Sequence, residues 1–396
     1  MKIGIFTFHS QINYGGVLQA YALQKTLESM GHEVYVIDRW LDEKNCTLHG
    51  VFSEYSFPQK CRKLLYAMIG NGEASDFWRR YRTSRFIKEN LNITPYHFFQ
   101  FSEAPAALSD FDCYVVGSDQ VWNFNWPDNQ FYLLHNAPSS VPRIAYAASM
   151  GDPYSIKSDN ESEIKQSLKK FIAISVREKS AQKRINQLGL AAEHVVDPTL
   201  LSSSHIWEKF VKKNNNERRL FCYFMEYKLN DIYSVINKYA KRAGVHVDIF
   251  LNNKSQYSVG FSKRYGYYKE WVKLHENIFN PYIHLHFSAD PTEFVRYASM
   301  ATDCVTDSFH ALMFSIIFQL NVKVLSPDNE MRINMFSRIK ESLEFIHNDN
   351  VISPSLSEAL DSFLNNYRTS YNFDMIENKR EFSKKWLEES LQAAYK

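Results

Sequence analysis

The chain opens on Lys2-Ile3-Gly4-Ile5-Phe6-Thr7-Phe8, an apolar run whose length and composition predict a buried β-strand. A polar turn, Asn13-Tyr14-Gly15-Gly16, follows the run, and apolar residues then recur at helical spacing up to Gly31, which favours a helix stop. The next predicted strand is Glu33–Asp38. A strand, a helix and a second strand in this order are typical of a parallel α/β sheet.

The same alternation continues along the chain in two series, separated by a polar segment near 200–218. This pattern predicts two α/β domains, over residues 1–205 and 206–355, and a charged helical tail over residues 356–396. Residues 40–100 are aromatic and charged, and we expect them to be helical with an irregular segment. The further strands are predicted at 113–117, 143–148, 172–176, 195–197, 220–224, 245–251, 284–287, 303–306 and 322–325.

Composition limits the class of protein. The 396 residues suffice for two domains of ordinary size, and a net charge of only +2 argues against nucleic acid as the main partner. The five cysteines are scattered and odd in number, which indicates a reducing compartment without a disulfide framework. We see no signal peptide, and no apolar run reaches the ~20 residues that span a bilayer. We therefore expect a cytoplasmic protein with at most peripheral membrane association.

Polar residues crowd the end of the predicted strand at 113–117, in Gly117-Ser118-Asp119-Gln120. Ligands of parallel α/β sheets bind at the carboxyl ends of the strands, where two such domains form a cleft. Asp119 can accept a proton from a hydroxyl there, and Trp122 can stack on a sugar face. The alternative is that Asp119 caps a helix and Trp122 belongs to the core.

Two further strand ends carry candidates. Arg177 follows the predicted strand at 172–176, and arginine suits bidentate recognition of a carboxylate or phosphate. Taken alone, however, this pattern favours a surface ion pair between Arg177 and Glu178. Gly15-Gly16 either lets a ligand approach the backbone closely or only forms the turn. The pattern is neither the dinucleotide fingerprint nor a P-loop. Asp197 is interpreted as the cap of a turn that Pro198 fixes.

The strongest single candidate is His310, in Thr306-Asp307-Ser308-Phe309-His310, which is predicted to be a strand end, a tight turn and a helix start. A helix N-terminus attracts anions because its first N–H groups are unpaired and its dipole is positive. A histidine there can add a hydrogen bond or a proton near neutral pH. The alternative is a helix start without chemistry, because Asp307 and Ser308 are good N-caps.

Metal and cofactor chemistry finds no support in the sequence. His284 and His286 place two imidazoles on one face of a predicted strand, but no third ligand is evident. The chain has no paired-cysteine or His-Glu-x-x-His zinc motif, and no Asp-x-Asp pair at a strand end for a metal-bound nucleotide sugar. We therefore expect neither a metal nor a cofactor.

Taken together, the motifs resemble those of the polysaccharide pyruvyl transferase family over about the first 330 residues. The family is similar in fold to two-domain GT-B glycosyltransferases, so the resemblance implies two Rossmann-like domains with a central cleft. It implies an acceptor side in the N-terminal domain, a donor side in the C-terminal domain and a tail that crosses back. The motifs are Gly4–Phe8 with Asn13–Gly15 and Leu18–Leu23, Gly117–Trp122, Ser175–Glu178, Val196–Leu200, and Pro291–Phe294 leading to Thr306–His310.

The resemblance also implies a reaction. Characterised members transfer the pyruvyl group of phosphoenolpyruvate to sugar hydroxyls, commonly as a ketal, in the biosynthesis of cell-surface polysaccharides such as capsules or exopolysaccharides. The partners would be phosphoenolpyruvate, as donor substrate, and a sugar or lipid-linked oligosaccharide as acceptor. Some members carry an arginine two residues before the motif histidine, where this chain has Ser308, and many have glycine after it, where this chain has Ala311.

The reaction assigns roles to the motif residues. Arg177 would bind one anion of the donor and the turn at Ser308 the other. His310 would be the acid or would stabilise the phosphate, Asp119 would be the base, and these two roles could be exchanged. Two alternatives stay open, a GT-B glycosyltransferase that uses a nucleotide sugar and a non-catalytic sugar-binding subunit. The remaining candidates for substrate binding are Asn13, Tyr14, Gly15, Ser118, Gln120 and Trp122.

Overall fold

The computed structural model describes residues 1–9, 13–39, 58, 72–98, 106–201, 204–212, 217–252, 280–327, 330–347 and 350–395. Within these ranges the chain forms one sheet of seven strands and then one of six, and neighbouring strands run parallel throughout. The predicted pair of Rossmann-like α/β units is therefore confirmed. Parts of the predicted connecting segment, 202–203 and 213–216, lie outside the described residues.

The first sheet consists of β1 (Lys2–Phe6), β2 (Glu33–Arg39), β3 (Ile93–Phe98), β4 (Cys113–Val116), β5 (Arg143–Ala148), β6 (Ala173–Val176) and β7 (Glu193–His194). Its strand order is β3-β2-β1-β4-β5-β6-β7, so the direction of winding reverses between β1 and β4. Loops that leave the two strands at such a reversal diverge, and the crevice between them is where doubly wound sheets bind ligands. The loop that carries Asp119 follows β4 directly.

The second sheet repeats this plan. It consists of β8 (Arg219–Phe224), β9 (His246–Leu251), β10 (Ile283–Leu285), β11 (Asp303–Thr306), β12 (Asn321–Leu325) and β13 (Ile352–Ser353). The order is β10-β9-β8-β11-β12-β13, and the reversal lies between β8 and β11. The turn before His310 follows β11, so the two best candidates of the sequence lie at the reversal points of the two sheets.

The helices described are α1 (Tyr14–Ser29), α2 (Gly72–Asn90), α3 (Glu161–Leu168), α4 (Lys179–Gln187), α5 (Pro198–Leu201), α6 (Leu229–Ala243), α7 (Pro291–Met300), α8 (Phe309–Phe318), α9 (Glu330–Ser342), α10 (Leu356–Leu364) and α11 (Phe373–Ala394). No helix in the described part of the chain is long and apolar enough to cross a membrane.

Strand β1 shows why the opening run is apolar on both sides. Ile3 and Ile5 belong to one buried cluster, whereas Phe6 and Phe8 belong to another on the opposite face. Successive side chains of a strand point to opposite faces, and a parallel sheet is covered by helices on both, so neither face tolerates polar residues. The unbroken apolar run is the sequence signature of that burial.

The first of these clusters also joins the two sheets. Tyr14, at the start of α1, stacks on Phe294 of α7 with ring centroids 4.9 Å apart, and its hydroxyl donates a hydrogen bond to the Ala289 carbonyl at 3.0 Å. Tyr14 is 1% exposed. Its position in the core fixes the N-terminus of α1 against the second sheet, which matters for the site below.

The last helix, α11, packs on the first α/β unit. Ser383 accepts a hydrogen bond from the Val196 N–H at 3.0 Å, and Arg380 donates to the Leu200 carbonyl at 2.8 Å. Trp386 lies against Tyr146 of β5, with ring centroids 6.3 Å apart. The tail thus covers residues next to Asp197, and it brings the C-terminal part of the chain into contact with the first α/β unit.

Candidate active site

Arg177, directly after β6, lies at the centre of a buried ionic cluster. Its guanidinium donates from Nη1 to Asp197 at 2.7 Å, from Nη2 to Asp119 at 3.2 Å and from Nε to Glu178 at 3.1 Å. Burial alone would lower the pKa of Arg177, but the three carboxylates outweigh it and hold that pKa above its usual value. The guanidinium also lies 4.4 Å from the centre of the Phe309 ring. Each of the three nitrogens of Arg177 therefore already binds a carboxylate of the protein, which favours a positioning role over direct contact with an anion.

Asp119 is held at the reversal point of the first sheet. It follows β4 through Gly117, where an added β-carbon would lie 2.2 Å from the Tyr146 carbonyl oxygen, so only glycine fits this close passage. Asp119 itself adopts a left-handed backbone conformation, with φ of 63°. Its Oδ1 accepts from Arg177, whereas Oδ2 accepts no hydrogen bond from a described residue. One carboxylate oxygen therefore stays available to a hydroxyl.

His310 lies in the first turn of α8 and faces the same cluster. Its Nε2 is 3.9 Å from Oδ2 of Asp197 and, within the described structure, has no hydrogen-bond partner although it is buried. Burial lowers the pKa of His310 to about 4, and Arg177 and Arg338 lower it further, against the opposing effect of Asp197 and Asp119. The imidazole is consequently neutral at pH 7, with one ring nitrogen unpaired. The main cause of the lowered pKa is burial.

The N-terminus of α1 also borders the site. Asn13 caps the helix, accepting hydrogen bonds from the Gly15 and Gly16 N–H groups at 2.9 and 3.4 Å. A β-carbon added at Gly15 would lie 2.0 Å from Nδ1 of His310, and one at Gly16 would lie 3.3 Å from Oδ2 of Asp119. Because Gly15 and Gly16 have no side chains, His310 and Asp119 can approach the start of α1 closely. Asp119, Arg177 and His310, predicted from three separate strand ends, lie together.

Other predicted residues occupy less direct positions. Trp122 is 0% exposed and packs edge-on against Phe171 at 5.7 Å, so it has no face open to a sugar and the structure favours the core alternative. Ser118 is buried and donates to the Ala147 carbonyl at 2.7 Å. Gln120 accepts from the Asn123 amide at 3.0 Å. Tyr14 belongs to the core between the sheets, as described above.

Sequence reasoning missed part of the cluster. Asp197 does cap its turn, since Oδ1 accepts from the Thr199 N–H at 2.9 Å, but Oδ2 binds Arg177 as well. Glu178 was expected on the surface with Arg177, yet it is 1% exposed and accepts a hydrogen bond from the Ser149 hydroxyl at 2.5 Å. The adjacent Arg–Glu pair signalled an ion pair, but only the position of β6 inside the sheet shows that the pair is buried.

Ser308 occupies the N-cap position of α8 but makes no capping hydrogen bond with its side chain. Its own N–H donates to the Thr306 hydroxyl at 2.9 Å. Among the described residues, no group of three or more histidine, cysteine or carboxylate side chains is arranged to hold a metal ion. The first N–H groups of α8 are therefore not capped by the Ser308 side chain.

Asp307, between β11 and α8, has a buried carboxyl group whose ionisation is unfavourable in the folded protein. Its Oδ1 accepts from the Met225 N–H at 2.7 Å, but Oδ2 is buried without a partner in the described structure. Burial raises the pKa of Asp307 to about 7, although the hydrogen bonds from backbone N–H groups lower it. The folded protein binds this proton more tightly than the unfolded chain, so stability falls as pH rises from about 4 to about 7.

Replacing Asp307 with asparagine should remove that loss. The amide keeps the acceptor for Met225 but carries no charge, so we expect a higher melting temperature than wild type at about pH 8 and nearly equal values at about pH 4. Thermal unfolding of both proteins across this pH range measures the difference. Parallel stability curves, with the same gap at every pH, would contradict the assignment.

Comparison with known proteins places these features in a family. A model of the family "Polysaccharide pyruvyl transferase" matches residues 13–329. A search of curated protein sequences found no match. Similar solved structures include UDP-GlcNAc 2-epimerase from Neisseria meningitidis bound to UDP-GlcNAc, with 12% identity, TM-score 0.48, and coverage of 99% of this chain and 100% of that chain.

Two further structures show the same level of similarity. MurG from Acinetobacter baumannii is 10% identical, with TM-score 0.39 and coverage of 99% and 97% of the two chains. HepE from Anabaena, in complex with UDP-glucose, is 9% identical, with TM-score 0.45 and coverage of 99% and 95%. These similarities are too low to assign a substrate to the chain. The family model, by contrast, spans most of the sequence and every strand end of the site, and the chain belongs to the polysaccharide pyruvyl transferase family.

Proposed function

We propose that the chain transfers the pyruvyl group of phosphoenolpyruvate to two hydroxyls of a sugar, forms a ketal and releases phosphate, in the biosynthesis of a cell-surface polysaccharide. Family membership supports the reaction class. The observation that carries the residue roles is that His310 and Asp119 lie in one cluster. Nε2 of His310 and Oδ2 of Asp119 each make no hydrogen bond with a described residue.

The chemistry needs a proton on the methylene carbon of the donor, which leaves an oxocarbenium-like centre at the neighbouring carbon. One sugar hydroxyl adds to this centre and a second displaces the phosphate. One of the two hydroxyl protons balances the new methyl group, and the other leaves with the phosphate. We assign proton delivery to His310, and proton removal from the hydroxyl to Asp119, whose second oxygen is available.

Charge explains how a buried neutral histidine can act as an acid. Burial disfavours the imidazolium in the free protein and lowers the pKa of His310 to about 4. A bound phosphate dianion near Nε2 favours the imidazolium, so donor binding brings in the proton that the reaction uses. Arg177 then keeps Asp119 and Asp197 in place, so that the two carboxylates face the histidine from fixed positions.

The test is release of phosphate from phosphoenolpyruvate with a panel of free sugars and lipid-linked oligosaccharides, followed by mass spectrometry of the acceptor. We expect phosphate release only with a suitable acceptor, and a stoichiometric gain of one pyruvyl ketal. In parallel, thermal stabilisation by phosphoenolpyruvate is compared with stabilisation by a panel of nucleotide sugars.

Two outcomes would contradict the proposal. Stabilisation by a nucleotide sugar, with sugar transfer and no effect of phosphoenolpyruvate, would indicate a glycosyltransferase. Binding of sugars without turnover of any donor would indicate a non-catalytic sugar-binding subunit.

A further inference from the structure

Arg338, on α9, stands out because its guanidinium has no direct partner among the described residues, although Asp119, Glu178 and Asp197 act on its charge from a distance. Within the described part of the chain its guanidinium makes no hydrogen bond or ion pair, and its Nε is buried without a partner. Burial, together with Arg177, lowers the pKa of Arg338 to about 10, so the side chain is still a cation at pH 7. Arg338 is partly exposed as a residue, but its Nε is buried and unpaired. An unpaired buried donor on a cation is costly, and such groups persist where a ligand supplies the counter-charge.

Its position points to the ligand. The Arg338 guanidinium lies 5.8 Å from the centre of the Phe309 ring, and the imidazole of His310 lies 5.2 Å from the same ring. Arg177 lies against this ring too, but its donors are taken by carboxylates. Of the two guanidinium groups, that of Arg338 is the one that makes no hydrogen bond or ion pair with a described residue.

Two further sets of hydrogen-bond donors lie next to the Phe309 ring. Nε2 of His310 is buried and unpaired, and the side chain is only 6% exposed. Helix α8 begins here without a side-chain cap, so the N–H groups of its first turn are not satisfied by Ser308. A guanidinium, an imidazole and a helix N-terminus together form a site for a compact anion with several acceptor oxygens.

We propose that Arg338 binds the phosphate group of the donor, together with Nε2 of His310 and the N-terminus of α8. The inference rests on the proposed function for the identity of the donor, but the anion site itself can be tested with inorganic phosphate. The anion-binding role expected of Arg177, which follows β6, is thereby transferred to a residue on α9. Ser308 does not oppose this arrangement, since its side chain makes no capping hydrogen bond to the first turn of α8.

One competing explanation comes from Glu178. Its Oε2 is buried without a partner in the described structure, and Arg338 lowers its pKa, while burial raises it. A small rearrangement could pair Arg338 with this oxygen, and the arginine would then be structural. The two explanations differ in what phosphate does, because an internal ion pair gives no ligand dependence.

The experiment measures phosphate binding by calorimetry and by the phosphate-induced rise in melting temperature, for wild type, Arg338→Met and Arg338→Lys. Lys340→Met is the matched control, because Lys340 is an exposed cation two residues further on the same helix. We expect Arg338→Met to lose phosphate affinity by about 10²-fold or more, Arg338→Lys to lose less, and the control to match wild type.

Equal phosphate affinity in wild type and Arg338→Met would overturn the inference, and so would the absence of phosphate binding by wild type. A large drop in the melting temperature of unliganded Arg338→Met, with phosphate affinity kept, would assign the arginine to Glu178. Turnover of phosphoenolpyruvate is measured separately on wild type. The proposed function can therefore stand when the Arg338 assignment fails, and the reverse also holds.

Discussion

Replacing His310 with asparagine is expected to lower turnover by roughly 10²–10⁴-fold while donor binding persists. Asparagine can still donate a hydrogen bond to an anion, but it cannot transfer a proton. Loss of kcat without a matching rise in KM is therefore the signature of the acid role. His205→Asn is a suitable control, because the His205 side chain is 81% exposed and lies outside the cluster, paired with Glu208 one helical turn away.

The pH dependence of donor binding gives a second measurement of the same residue. The pKa of His310 is lowered to about 4 in the free protein, and a bound dianion should raise it, so binding takes up a proton between these two values. Affinity should fall as pH rises above about 4 and level off above the pKa of the complex. Calorimetry in buffers of different ionisation enthalpy measures the proton directly. Near-normal turnover of His310→Asn, or binding without proton uptake, would rule out the acid role.

The fold was largely predictable, since buried strands of a parallel sheet are unbroken apolar runs. The edges were not. Strand β3 lies in a stretch expected to be helical, and it contains Pro95, which a strand tolerates at a sheet edge. Strand β7 was expected at 195–197 but forms at Glu193–His194, where only two residues pair with β6. Few hydrogen bonds define an edge strand, so its pattern in the sequence is weak.

The site was predictable where it sits on strand ends and unpredictable where it comes from a helix. Asp119, Arg177 and His310 each follow a recognisable strand, so topology alone brings them to one region. Nothing in the sequence of α9 distinguishes Arg338 from the neighbouring Arg332 or Lys340. Arg338 becomes a candidate for the site only because α9 packs against Phe309, and this packing cannot be predicted from the local sequence. The same holds for the saturation of Arg177, because Asp197 and Asp119 are distant in sequence.

The steric fit between α1 and α8 predicts the second large effect. Gly15→Ala should lower turnover by about 10²-fold or more, because a misplacement of about 1 Å at a reacting group has that cost. The added β-carbon would lie 2.0 Å from Nδ1 and 2.3 Å from Cγ of His310, so the ring must move. The ring is buried and cannot simply swing into solvent.

Gly16→Ala is the matched control, in the same helical turn. Its β-carbon would lie 3.3 Å from Oδ2 of Asp119, a contact that a shift of a few tenths of an ångström relieves, so we expect a much smaller loss of turnover than for Gly15→Ala. A double-mutant cycle with His310→Ala then isolates the contact, since Gly15→Ala should destabilise the wild-type protein but not the variant without the imidazole. If Gly15→Ala costs the same stability in both backgrounds, the glycine is required by its own backbone, and the close approach of the two helices does not position His310.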